Sequence, residues 1–567
     1  MRLPNSLKIN LIWQRIISVT VFFAMAVAVI FPALSQLHST LPTGPSRVVT
    51  VPLFNVWTIG WNIDRMGHLF SGYWDAPIFF GNPGAFAFSE PQPATLLVAP
   101  VYWASGSLIV AYKAYLLLSL VLNGVFTVRL CRHLKIQRMW AFAAGAMMVW
   151  LPLGLRQIDV LQLIPVWGIL WTWDSGWRHC RQPTLRSGIS AGIACGVSFG
   201  MSIHHGLFMI IVLVPCLLLT MAWRHMLTAW KTNVVAISLS LLLVGSLALP
   251  MRSVMKTYQF ERSQKLVTNL SARPEQFFSL PKEALIGHSV RGNGFRLSPG
   301  WIKLALACVG LVAGLCRRRK RRWVVFLSMI VTLSALLALG PNLKIGGWQP
   351  WWLIAKFVPG LQQTRNVFRF FYLTQMGIIL LSAMGLSEIW LRLRRATGRP
   401  RIATVLAIVA GVVCVFELPP PRPLLAGVPN RNRHHEWASY VKQHTAVGKG
   451  IACLPFASGR RVTDFAMTTR WMYYGTLHGV PLINGYSGFF PKAYFSIQES
   501  FNETGLTDGL LEKFESAGID LIVIHRRFKA PKSVEELPLR QFHLKLVFSD
   551  DVGIDVYQLR NSRNAAR

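Results

Sequence analysis

Acid is scarce in this chain. Of its 567 residues only 23 are Asp or Glu, against 59 Lys or Arg. Ten of those acids fall in residues 1–418, namely Asp64, Asp75, Glu90, Asp159, Asp174, Glu261, Glu275, Glu283, Glu388 and Glu417. Cysteine is sparse too: seven of the eight lie before residue 418, and Cys453 is alone after it. A disulfide within the C-terminal part is therefore excluded, and the other cysteines read as packing residues. There is no P-loop, no nucleophile elbow, no metal-type Cys/His spacing and no internal repeat.

What is present is apolar surface. Hydrophobic residues make up 52 % of the chain. Stretches near spanning length recur at 15–35, 107–128, 139–155, 160–174, 187–203, 206–223, 233–250, 301–316, 323–340, 367–391 and 402–418. Those runs predict a polytopic α-helical membrane protein with about eleven spans. The first run follows Lys8 and Arg15, but it is long for a signal peptide and lacks a small-residue cleavage site, so it reads as a retained anchor.

The net charge of +36 suggests nucleic acid until its placement is considered. Lys and Arg gather in alternate short loops, among them Arg129–Arg138, Arg178–Arg186, Arg317–Arg322 and Arg392–Arg401. The loops between these are nearly bare. The positive-inside rule then sets the N-terminus in the cytoplasm and the loop 37–93 and the C-terminal segment outside. The charge is a topology signal, and no nucleic-acid partner is expected.

The domains predicted are a transmembrane part over 1–418 with outer loops 37–93, 252–300 and 341–366, a Pro-rich linker over 419–429, and an extracytoplasmic α/β domain over 430–567. Within the last, helices are expected at His434–His444 and Leu506–Ala517. Strands are expected at Gly450–Pro455 and 518–525, with a closing hairpin at His543–Phe548 and Ile554–Leu559. The aromatic cluster around Trp348, Trp351 and Trp352 suits an interfacial helix.

Scarcity gives the first-loop acids their interest. Asp64, Asp75 and Glu90 stand among aromatics and prolines, an arrangement suited to an ordered surface at the membrane interface. A carboxylate there can act as general base toward an acceptor hydroxyl or hold a divalent cation against a phosphate. The bland alternatives are that Asp64 pairs with Arg65 and that Asp75 and Glu90 support turns. Arg365 and Arg369 are four apart at the outer entrance of a span, a spacing that makes a grip for lipid phosphate on one helical turn; snorkelling to headgroups is the alternative. His204 and His205 fall at an outer span junction. Being adjacent they cannot share a helix face, which argues against a two-ligand metal site; one could contact a diphosphate or acceptor, and the bland alternative is that both are interfacial polar residues.

Four blocks carry a family likeness. They are the first-loop block from Trp57 to Pro91, the segment Leu155–Leu163 with Asp159, the segment Val358–Phe370, and His478–Pro491 with Asn484, Gly485 and Gly488. In this order they resemble a group of bacterial multi-span membrane proteins with the architecture of C-type glycosyltransferases, which use polyprenyl-phosphate-linked sugars. The resemblance implies fold and topology first, and hexosyl or pentosyl transfer to an extracytoplasmic glycan, lipid or protein acceptor second. It implies Asp64 as base, Asp75 as second choice, and Glu90, Asp159, His204, His205, Arg365 and Arg369 as substrate-binding residues. Paired first-loop acids are common in such enzymes, whereas Asn62-Ile63-Asp64 offers one. That leaves a divalent cation as the only cofactor in view and no residue read as its ligand. The location implied is the inner (plasma) membrane, with lipid as a neighbour. The competing class is a transporter or a non-enzymatic assembly factor for envelope polysaccharide. Against ion-coupled transport, Asp174, Glu388 and Glu417 lie near span ends and the span centres are almost free of acids.

Overall fold

The computed structural model describes residues 5–44, 47–221, 223–287, 294–526 and 542–561. Residues 527–541 and 562–567 of the expected C-terminal domain lie outside the described residues, as do the side chains of Arg2 and Lys8.

Helices occupy the apolar stretches. Seven are long and apolar enough to cross a membrane by length and composition: Trp13–Leu34, Leu108–His133, Arg138–Leu155, Ile203–Thr220, Trp230–Thr257, Lys320–Asn342 and Val367–Thr397. Four more, Trp167–Arg181, Leu185–Met201, Trp301–Cys316 and Pro400–Phe416, have 15 to 17 residues. At about 1.5 Å per residue these reach about 25 Å, a little short of the roughly 30 Å hydrocarbon core. One expected boundary is corrected. The helix expected from residue 160 starts at Trp167, because Pro165 disfavours helical conformation just before it and 161–163 forms a short 3-10 turn.

The chain divides into two compact units. Unit 1 comprises Met1–Leu34, Ala114–Ala248 and Phe260–Pro423. Its centre is the helix Phe371–Thr397, buried at every position from Phe371 to Glu388. It meets the helix Trp301–Cys316 backbone to backbone. A Cβ on Gly310 would lie 2.1 Å from the Leu381 carbonyl oxygen, and one on Gly385 2.0 Å from that of Leu306, so only glycine fits at either place. Two buried acids tie helix ends together. Glu417 accepts from the Ile302 N–H at 2.7 Å and pairs with Lys303 at 3.3 Å, capping the helix Trp301–Cys316. Asp174 stands among Arg129 at 3.2 Å, His133 at 2.5 Å and Arg178 at 3.7 Å.

Unit 2 comprises Ser35–Lys113, Leu249–Gln259 and Leu424–Arg567. Its sheet runs β3–β4–β6–β5, where β3 is Gly450–Leu454, β4 Ile519–His525, β5 Phe542–Ser549 and β6 Ile554–Asn561; β3 and β4 are parallel and the rest antiparallel. A separate antiparallel ribbon pairs β1, Thr40–Thr43, with β2, Leu424–Gly427. The expected α/β elements are all found, and two helices not foreseen, Ala466–His478 and Lys492–Thr504, complete the layer. The first-loop segment builds into this unit. Its helix Thr50–Gly67 packs on Ala466–His478. Main-chain bonds from Phe79 to the Asn484 carbonyl, from Phe80 to the Leu482 carbonyl and from Phe489 to the Phe88 carbonyl stitch the two segments together. Phe79 then packs edge-on to Phe490 and Tyr494.

Two buried histidines give unit 2 a pH dependence. His434 Nδ1 accepts the Trp437 indole N–H at 3.0 Å, and His478 Nδ1 accepts the Val480 amide at 3.0 Å, so both rings are needed neutral. Burial pulls His434 down to about 4, helped by His525, and burial alone pulls His478 down to about 3. The unfolded chain, with imidazoles near 6.5, binds more protons than the folded one below that pH. Stability is therefore complete above about pH 6.5 and is lost as pH falls toward 4 and then 3, by up to about 1.4 kcal/mol per pH unit for each ring. Hydrogen exchange of the His435–His444 amides, corrected for intrinsic rate, should lose protection between pH 7 and pH 5; equal protection at both would refute this.

Candidate functional site

The first-loop acids are held one by one in unit 2. Asp64 lies near the end of the helix Thr50–Gly67 with its side chain 48 % exposed. Arg65 binds Oδ2 alone, through Nη2 at 2.6 Å and Nε at 2.8 Å. Oδ1 accepts no hydrogen bond among the described residues, the His68 ring nitrogen being 3.9 Å away. The pairing with Arg65 is the bland arrangement weighed from sequence, and it leaves one oxygen open. Arg65 also stacks on Trp61 at 4.6 Å and donates to the Ser71 carbonyl at 3.1 Å. These contacts hold a turn in which Leu69 and Phe70 take left-handed φ of 51° and 60°, with Leu69 91 % exposed.

Asp75 is exposed, and its Oδ1 accepts the Gly84 amide at 2.8 Å. Glu90 is buried. The polar hub of the loop is a residue that acid counting passes over. Asn62, fully buried, donates to the Pro91 and Gln92 carbonyls and to Thr95 at 2.8 to 3.1 Å, and accepts from the Tyr73 hydroxyl at 2.8 Å. It fixes the loop, which accounts for an amide in the place where a second carboxylate is common.

Unit 1 gathers the other candidates. Asp159 lies in the loop after the helix Pro152–Leu155, and Arg369 in the 3-10 turn Val367–Phe370. Burial raises the Asp159 carboxyl above its ordinary range, opposed by its own backbone N–H and by the charge of Arg369. Arg369 Nε donates to the Gln157 side chain at 3.2 Å. The charges of Arg369 and Asp159 both act on Tyr372, and the His205 ring lies 4.8 Å from the ring of Tyr372. Asp159, Arg369, Tyr372 and His205 thus form one cluster. Sequence reasoning missed Gln157 and Tyr372, although both flank residues it chose.

One expectation is corrected. Arg365 and Arg369 do not share a helical turn, because residues 364–366 are non-helical and only 367–370 coil, as 3-10. Arg365 instead stands near Arg262, whose guanidinium, pulled down to about 9 by burial and by Arg365, donates to the Gln363 carbonyl at 3.4 Å. The two histidines diverge as well: His205 is buried and His204 sits 6.1 Å from the Phe208 ring. Among the described residues there is no group of three or more His, Cys, Asp or Glu placed to hold a metal ion. What the cluster offers is one guanidinium beside a carboxyl of raised pKa, a phenol and an imidazole, and Arg262 with Arg365 makes a separate cationic pair. That inventory suits an anionic ligand such as a phosphate.

Comparison with solved structures decides the fold. The arabinofuranosyltransferase AftD from Mycobacteria superposes over 96 % of this chain with a TM-score of 0.51 at 14 % identity. The archaeal oligosaccharyltransferase AglB from Archaeoglobus fulgidus, solved with an inhibitory peptide and a dolichol-phosphate, superposes over 97 % with a TM-score of 0.51 at 11 % identity. The fold is that of the C-type glycosyltransferases. An apo structure of the Archaeoglobus fulgidus oligosaccharyltransferase gives a TM-score of 0.52 at 11 % identity over 90 % of the chain. The C-type chain described here spans 41 % of AftD, 74 % of AglB and 69 % of the apo enzyme. Residues 88–341 match the model of Glycosyltransferase family 87. That match contains Glu90, Asp159, His204, His205 and Arg262 and stops short of Arg365. No curated protein sequence matches the chain.

Proposed function

We propose that this protein is an integral membrane glycosyltransferase that moves a hexosyl or pentosyl group, with inversion, from a polyprenyl-phosphate donor to an extracytoplasmic acceptor. The observation that carries the reading is the Arg369–Asp159–Tyr372–His205 cluster in a chain of C-type fold. Arg369 holds the donor phosphate and stabilises the charge that grows on it as the glycosidic bond breaks, with Arg365 and Arg262 as a second cationic site. Within unit 2 the base proposed for an acceptor hydroxyl is a first-loop carboxylate, Asp64 before Asp75, since Arg65 orients Asp64 through one oxygen and leaves the other to accept. No step is assigned to a metal. The alternation of basic loops supports an N-terminus in the cytoplasm and an extracytoplasmic C-terminal domain, in a plasma membrane.

The test is transfer of labelled sugar from polyprenyl-phosphate sugar in proteoliposomes, with wild type, Asp64→Asn and Asp75→Asn side by side. Asp64→Asn should lose at least 100-fold, the lower end of the general-base range of about 10²–10⁴. Equal transfer by wild type and Asp64→Asn removes Asp64 from the mechanism. No transfer by wild type across a broad donor panel removes the transferase reading.

A further inference from the structure

Unit 2 carries a groove that the transfer chemistry does not use. It is open to solvent and has a volume of about 590 Å³. Its floor is the outer face of the helix Lys492–Thr504. The inner face of that helix, through Tyr494, Gln498 and Phe501, is buried. From there Gln498 donates to the Ala457 and Gly459 carbonyls at 2.8 and 2.7 Å, and Asn502 to the Ala457 carbonyl at 2.9 Å. The pinned loop delivers Arg460 onto the Phe495 ring, 4.4 Å above its centroid, and against Glu499. The guanidinium is thereby fixed as a flat platform at the groove wall. Lys513, from the helix Asp508–Ser516, and Lys492 also line the groove, together with Glu503 and the hydroxyl of Ser496.

The chemistry of that lining selects a ligand. A planar guanidinium held on an aromatic ring offers a stacking surface and in-plane donors, both suited to a pyranose or furanose ring. Among the residues that line the groove, Arg460, Lys492 and Lys513 stand against Glu499 and Glu503, with Glu499 paired to Arg460, so the lining is cationic on balance. We infer that this groove binds a carboxylate-bearing oligosaccharide, as the site where an acidic acceptor glycan rests on unit 2. The inference rests on the transferase reading for the word acceptor, but the binding itself does not.

Full-length protein in nanodiscs, titrated with an oligogalacturonate and read by calorimetry, tests it. Wild type should bind saturably, and maltoheptaose, neutral and of similar length, should bind at least tenfold more weakly. Lys492→Glu/Lys513→Glu should lose tenfold or more, and Ser496→Arg, which fills the groove without removing a lysine, should also weaken binding. Arg369→Ala should bind as wild type does, so a dead transferase with intact binding leaves the groove standing. Absence of saturable binding, equal binding by the double variant, equal binding of maltoheptaose, or complete competition by millimolar inorganic phosphate would each overturn it.

Discussion

Arg369→Ala should lower sugar transfer by about 100-fold or more while leaving the thermal midpoint close to wild type. Removing one preorganised donor to a developing charge costs about 10²–10³ in rate. Arg369 sits in the turn Val367–Phe370 with Nε on Gln157 and its charge on Asp159. Arg369→Lys should recover only part of the rate, since an ammonium supplies the charge without the planar fork. Gln157→Ala separates positioning from contact: it should disturb the aim of the guanidinium and lower transfer by less than Arg369→Ala. If Arg369 were only a headgroup anchor, Arg369→Lys would match wild type and Gln157→Ala would have no effect.

Glu417→Ala should be the most destabilising single change in unit 1. Its carboxylate is fully buried, pairs with an almost fully buried Lys303, and accepts from the first turn of the helix Trp301–Cys316. Truncation leaves the lysine charge without compensation in a low-dielectric surround, a loss of about 3–5 kcal/mol. Lys303→Met/Glu417→Leu should recover much of that, because replacing both partners removes the stranded charge. Thermal unfolding in detergent or nanodiscs reads the order: wild type, then the double variant, then Glu417→Ala. A double variant no better than Glu417→Ala would show that the capping bonds to the Ile302 and Lys303 amides, and not the ion pair, carry the effect.

The helical part of this fold was legible because apolar runs near spanning length leave few alternatives. The exceptions have local causes. Pro165 sits inside an apolar run, and hydropathy alone does not register that a proline delays the helix to Trp167. The four-residue spacing of Arg365 and Arg369 reads as a helical turn only if helix is already present, and the chain there is irregular and then 3-10. In the His478–Pro491 block, Asn484 makes a long-range tie that its sequence does not announce, bonding the amide and the carbonyl of Cys453 at 2.7 and 2.8 Å. Least legible was unit 2 as a whole. Nothing local in Phe79 or Phe88 announces that main-chain bonds join them to residues some 400 positions away. The acids of the first loop were found by counting, but Asn62, which holds that loop, carries no charge to count.

The most direct measurement of the central claim, that the Arg369 cluster recognises a lipid phosphate, is a titration of purified protein with polyprenyl phosphate, read as the thermal unfolding midpoint, against polyprenol as the uncharged control. Ligand at 100 times its dissociation constant stabilises the folded state by about 2.7 kcal/mol. The expected result is a saturable rise with polyprenyl phosphate for wild type, none with polyprenol, and a rise lost in Arg369→Ala. An equal rise with both lipids, or an undiminished rise in Arg369→Ala, would contradict it.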